Sequence, residues 1–153
     1  MNPTQYKKEL LYRKANRKMV FESYLSKINS LVCCNIDALD FLSLEFTDYV
    51  LKKSLMDESR SIKNKIETKL LAEFFGEIKK HDSGFFVFID DDWKYCGTFL
   101  ISSLNLLRDD FSFGDNVLNN VLLISDDFSI YIDLDYYEMM GGNYIDVKEC
   151  VRL

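Results

Sequence analysis

Midway along the chain the spacing of apolar side chains changes, and that change limits the fold more than any other feature. Up to residue 81 the apolar positions recur every three or four residues, as on one face of a helix. Beyond it they fall into short runs broken by turn-forming residues, as in antiparallel strands. Helices followed by strands predict an α+β domain, with N-terminal helices packed on one face of a C-terminal antiparallel sheet of about five strands.

Three helices are expected. Tyr6, Leu10, Met19, Val20, Tyr24 and Ile28 share one face of a first, basic helix, with Lys7, Lys8, Arg13, Lys14, Arg17 and Lys18 on its remaining surface. A second helix starts from a cap at Asn35 or Asp37 and buries Leu39, Leu42, Phe46, Tyr49 and Val50. In a third, Ile62, Ile66, Leu70, Phe74 and Ile78 stand at four-residue steps, widened by Leu71 and Phe75, and the sequence His-Asp-Ser-Gly at 81–84 stops it. The strand candidates are FFVFI, WKYCGTFLI, VLLI, FSIYIDLD and YIDV, arranged as a meander, with residues 103–116 as a loop or short helical turn.

The length of 153 residues suits a single domain over 1–153, with a helical part at 1–81 and a sheet part at 82–153. No window nears the roughly 18 apolar residues of a membrane span, and the N-terminus lacks a signal-peptide core, so a cytoplasmic protein is expected. Four cysteines, two of them adjacent, form no CxxC spacing, and they read as reduced thiols of the core.

Charge is divided unevenly. Residues 1–81 carry 15 Lys or Arg against 11 Asp or Glu, whereas residues 82–153 carry 4 against 14. The second half is strongly acidic, which favours a basic partner over nucleic acid. Its acids are concentrated. Asp90, Asp91 and Asp92 precede Trp93, the only tryptophan; Asp126 and Asp127 occupy the next turn; and strand alternation sets Tyr131, Asp133 and Asp135 opposite Phe128, Ile130, Ile132 and Leu134. If the strands meander, the two acidic turns can cluster at the sheet margin, with Trp93, Tyr131, Tyr136 and Tyr137 as aromatic anchors.

Catalytic readings have less to stand on. Neither DDDWKYCGTFLI nor DLDYYEMMGGNYID keeps the ligand spacing of a calcium loop. His81 is the sole histidine, and no GxSxG, GxGxxG or Walker loop occurs, so no cofactor is expected. One metal-dependent nuclease arrangement can be drawn: Asp133 on one strand, Asp146 on the next, and Lys148 two residues beyond it to activate water. A basic helix touching phosphates is the remaining nucleic-acid reading, unsupported by any basic domain or aromatic platform.

FFVFIDDDWKYCGTFLI paired with VLLISDDFSIYIDLD, behind a helical N-terminal segment, resembles the small acidic immunity proteins of bacterial polymorphic toxin and contact-dependent growth inhibition systems. The resemblance covers residues 84–135. It implies a non-enzymatic, cytosolic protein that binds a cognate toxin domain, often a basic nuclease, and blocks it. An adaptor for another basic protein is the competing binding role.

Overall fold

The computed structural model describes residues 2–54, 61–109, 113 and 118–152. The first helix of the sequence reading is two helices, α1 (Pro3–Ala15) and α2 (Arg17–Leu31). Asn2 and Gln5 form a reciprocal cap on α1. Asn16 breaks the run, its amide bonding the Tyr12 and Arg13 carbonyls and its side chain the Tyr12 carbonyl at 2.7 Å. The bend turns Met19 outward, 81% exposed, and draws Arg13, expected on the solvated face, into the interior.

α3 (Leu44–Lys53) begins later than Asn35 or Asp37 would set it, because Ser43 caps it by accepting the Phe46 amide at 3.1 Å. Asn35 instead caps a single 3-10 turn, Ile36–Ala38. The third expected helix is half strand. Residues Ile62–Glu67 form β1, and only Leu71–Ile78 form a helix, α4. The reason lies in the spacing itself, since a step of four keeps a side chain on one face of a strand as well as of a helix.

Beyond it lie β2 (Phe85–Ile89), the one-turn helix α5 (Trp93–Cys96), β3 (Phe99–Ile101), β4 (Asn120–Ser125), β5 (Ile130–Met139) and β6 (Gly142–Val151). WKYCGTFLI is thus a helical turn and a short strand rather than one strand. The Asp92 carbonyl accepts the amides of Tyr95 and Cys96, and Gly97, at φ 86°, ends the turn. Of the loop at 103–116, Leu104–Leu106 is a 3-10 turn, while 110–112 and 114–117 lie outside the described residues.

The six strands pair antiparallel in the order β1-β6-β5-β4-β2-β3, so the α+β class stands with one strand more than the sequence suggests. Only β4, β5 and β6 meander; the chain leaves β3 and crosses beyond β2 to begin β4. β2 is buried along its whole length, as its unbroken apolar run requires. Its Phe85, Val87 and Ile89 join Tyr24, Ile28, Phe75, Ile132, Leu134, Ile145 and Val147 in the main core under α2 and α4. Its Phe86 and Phe88 face the other way and, with Ile124, pack beneath Val50 of α3. Phe128, expected beside Ile130, joins this second cluster because it sits in the turn at φ 62°, before strand alternation begins.

A buried polar knot ties the layers together. Tyr24 Oη donates to the Gly97 carbonyl at 2.8 Å, Thr98 Oγ1 donates to the Val87 carbonyl at 2.7 Å, and the Thr98 amide donates to Thr47 Oγ1 at 3.0 Å. These groups lose water on folding and keep their bonds, which fixes α2 and α3 against β2.

Candidate functional site

The two acidic turns do not meet. The Asp90 amide bonds the Asn120 carbonyl where β2 ends, and the Asp126 amide bonds the Gly84 carbonyl just before β2 begins. A five-residue strand therefore separates them by about 17 Å. The sheet order explains it: β4 lies antiparallel to β2, so the turn after β4 comes back to the start of β2.

Two of the three consecutive aspartates are turned inward. Lys27 Nζ lies 2.8 Å from Asp90 and 3.2 Å from Asp92, and none of these side chains is more than 15% exposed. Asp90 Oδ1 also accepts the amides of Asn119 and Asn120. Burial works against the Lys27 ammonium, but Asp90 and then Asp92 outweigh it and hold the group above the usual lysine value. Burial pushes the Asp92 carboxyl up, with Lys27 opposing. Asp91 alone of the three is exposed, 3.3 Å from Lys94. Trp93 packs edge-on against Phe88, ring centres 5.6 Å apart, within the α3 cluster. Tyr136 is on the main-core side, stacked on Phe113, as its alternation with Leu134 dictates.

At the opposite end, Asp126 and Asp127 are exposed. Asp127 Oδ1 accepts from Ser125 Oγ, the Ser129 amide and Ser129 Oγ at 2.8, 3.0 and 2.6 Å, which holds its carboxyl below the ordinary value. Beside this turn α3 presents Phe46 and Tyr49, 40% and 49% exposed, which stack around Phe86 and Phe128 under the Lys53 ammonium. The sequence reading placed both aromatics in the core; their spacing fits a helical stripe, but of that stripe only Val50 is fully buried.

The acidic face of FSIYIDLD is where the predicted residues do gather. α3 lies over β2 and β4, and the same side of β5, β6 and β1 carries exposed Asp135, Asp146, Lys63 and Lys65. Together with Asp133, Lys148, Asn64 and Val147 they line a shallow groove of about 530 Å³. Tyr137 and Tyr144, opposite each other, continue this face, and the Lys65 ammonium stands 4.4 Å from the Tyr144 ring centre and 5.5 Å from that of Tyr137. Asp133 is half-buried, and its Oδ1 accepts from Asn120 Nδ2 at 2.9 Å. Burial raises its carboxyl despite that bond. Burial and the neighbouring Asp133 push Tyr131 up to about 12.

The three residues of the nuclease reading do converge. Asp133 and Lys148 are register partners, and Asp146 is one step along β6 on the same face. Among the described residues, however, no group of three or more His, Cys, Asp or Glu side chains is placed to hold a metal ion. Nor, among them, is any helix long and apolar enough to cross a membrane. The sheet face gathers carboxylates, ammonium groups and aromatic area in one place. No known protein-family model matches the chain, and neither a curated protein nor a solved structure was found to be similar to it.

Proposed function

We propose that the chain is an immunity protein: a cytoplasmic, non-enzymatic inhibitor that binds a cognate bacterial toxin domain, basic in character and of the nuclease type, and blocks access to its substrate. The observation that carries this reading is the exposed face of β5, β6 and β1, where Asp133, Asp135 and Asp146 share one groove with Tyr137 and Tyr144 alongside. Carboxylates there would pair with basic side chains of the partner, and the tyrosines would supply contact area once water leaves. The proposed contact surface accordingly leaves out Asp90 and Asp92, which meet Lys27 inside the fold, and centres on the sheet face.

The test is binding to the toxin domain encoded beside the gene, together with protection of growth when both are expressed. Asp135→Asn combined with Asp146→Asn is expected to weaken binding about tenfold, roughly 1.4 kcal/mol, and to flatten its salt dependence. Unchanged affinity and salt dependence would reject this surface. Binding without protection would favour an adaptor for another basic protein.

A further inference from the structure

The open face is acidic only on one side. Register across β5, β6 and β1 sets Asp133, Lys148 and Lys63 in one row, and Asp135, Asp146 and Lys65 in the next. Within these rows Asp135 lies directly opposite Asp146, and Lys148 directly opposite Lys63. Like charges in such positions repel and destabilise a sheet. In these two rows β5 carries only carboxylates and β1 only lysines, two strand spacings or about 10 Å apart, while on β6 between them Lys148 faces Asp133 and Asp146 faces Lys65, one spacing away.

Resting on the reading under Proposed function, we infer that the segment of the toxin domain filling this groove is itself bipolar. It places basic side chains over Asp135 on β5 and acidic side chains over Lys63 and Lys65 on β1, about 10 Å away. A uniformly basic segment would gain at one end and be repelled at the other, because like charges brought together across an interface are costly. A bipolar segment sets a counter-charge beside Asp135 and beside Lys63, whose partners on β6 carry the same sign, and also fixes its own direction on the sheet, since reversing it would set like against like. The Tyr137 and Tyr144 rings form the next row and give the segment an apolar rest.

Two helical peptides of equal length provide the probe. One carries an arginine cluster and a glutamate cluster two turns apart, about 10 Å along the axis; the other has arginine at both. Amide chemical shifts of the isotope-labelled protein at low salt report where each binds and how tightly. The bipolar peptide is expected to perturb β5, β6 and β1 with about fivefold higher affinity, and Lys63→Glu with Lys65→Glu is expected to reverse the order. An all-arginine peptide binding the unaltered protein at least as tightly would overturn the bipolar assignment while leaving the acidic docking face intact. Silence of those three strands towards both peptides would count against the docking face itself. Concentration-dependent shifts of the same strands without peptide would make a second copy the occupant, and would overturn the inference too.

Discussion

Lys27 Nζ on α2 stands 2.8 Å from the carboxylate of Asp90 at the end of β2, and with its contact to Asp92 it turns two of the three aspartates in the most conspicuous acidic run of the chain inward. Removing the ammonium would leave Asp90 and Asp92 facing each other with little water. Lys27→Met is expected to cost about 3 kcal/mol, the low end for breaking a buried ion pair, measured by urea unfolding. Adding Asp92→Asn should restore part of that loss. A Lys27→Met protein as stable as the parent would show that solvent already neutralises both carboxylates.

The turn after β4 predicts an acid limb. Asp127 is held below its ordinary value by the Ser129 hydroxyl and amide and by Ser125. A depressed carboxyl contributes stability that is present in full above the unfolded value of about 3.9 and is lost as pH falls through the lower folded value. Unfolding midpoints followed from pH 6 down to pH 2 should therefore decline less steeply in Asp127→Asn than in the parent. Parallel curves would contradict the assignment.

Alkaline conditions act on Lys27 with the opposite sign. Its raised value means that its contribution is complete below the unfolded lysine value of about 10.4 and disappears as pH rises through the folded one. Thermal midpoints above pH 10.5 are expected to fall more steeply in the parent than in Lys27→Met, and equal slopes would remove Lys27 as the source.

Gly97 is confined by two independent constraints. Its φ of 86° and ψ of 158° belong to a region open essentially to glycine, and a Cβ there would overlap the carbonyl oxygen of Leu42. The clash is with backbone, which cannot swing aside. Gly97→Ala should cost at least about 2 kcal/mol and loosen the knot of Tyr24, Thr98 and Thr47, visible as faster exchange of the Thr98 amide. Exchange unchanged from the parent would mean that the Leu42 segment shifts freely.

A nuclease assay addresses the competing chemistry directly. Asp133, Asp146 and Lys148 share a face, so incubation with DNA and RNA in magnesium or manganese is the decisive comparison, with Lys148→Ala as control. No metal-dependent cleavage is expected. Cleavage that Lys148→Ala abolishes would replace the inhibitor reading with an enzymatic one.

The sequence was informative where one periodicity had one meaning. Alternation in FSIYIDLD correctly assigned Ile130, Ile132 and Leu134 to the core and Tyr131, Asp133 and Asp135 to the other face, because strand geometry leaves no alternative once Phe128 is set aside as a turn residue. It failed where a pattern had two meanings. Ile62 and Ile66 satisfy helix and strand equally, and the choice fell to β6, whose edge takes β1 as its partner over six register pairs.

Charge was harder to read than shape. Local spacing established an α+β chain, and counting established its acidic second half. Which acids face solvent depended on contacts remote in the chain: Lys27 reaching 63 positions ahead to Asp90, and β4 returning antiparallel to β2 so that the two acidic turns fall at opposite ends. Long-range pairing decides whether a carboxylate is solvated or neutralised, and no local pattern encodes it; only the tertiary structure shows Asp90 and Asp92 neutralised by Lys27 and Asp135 and Asp146 exposed on the open sheet.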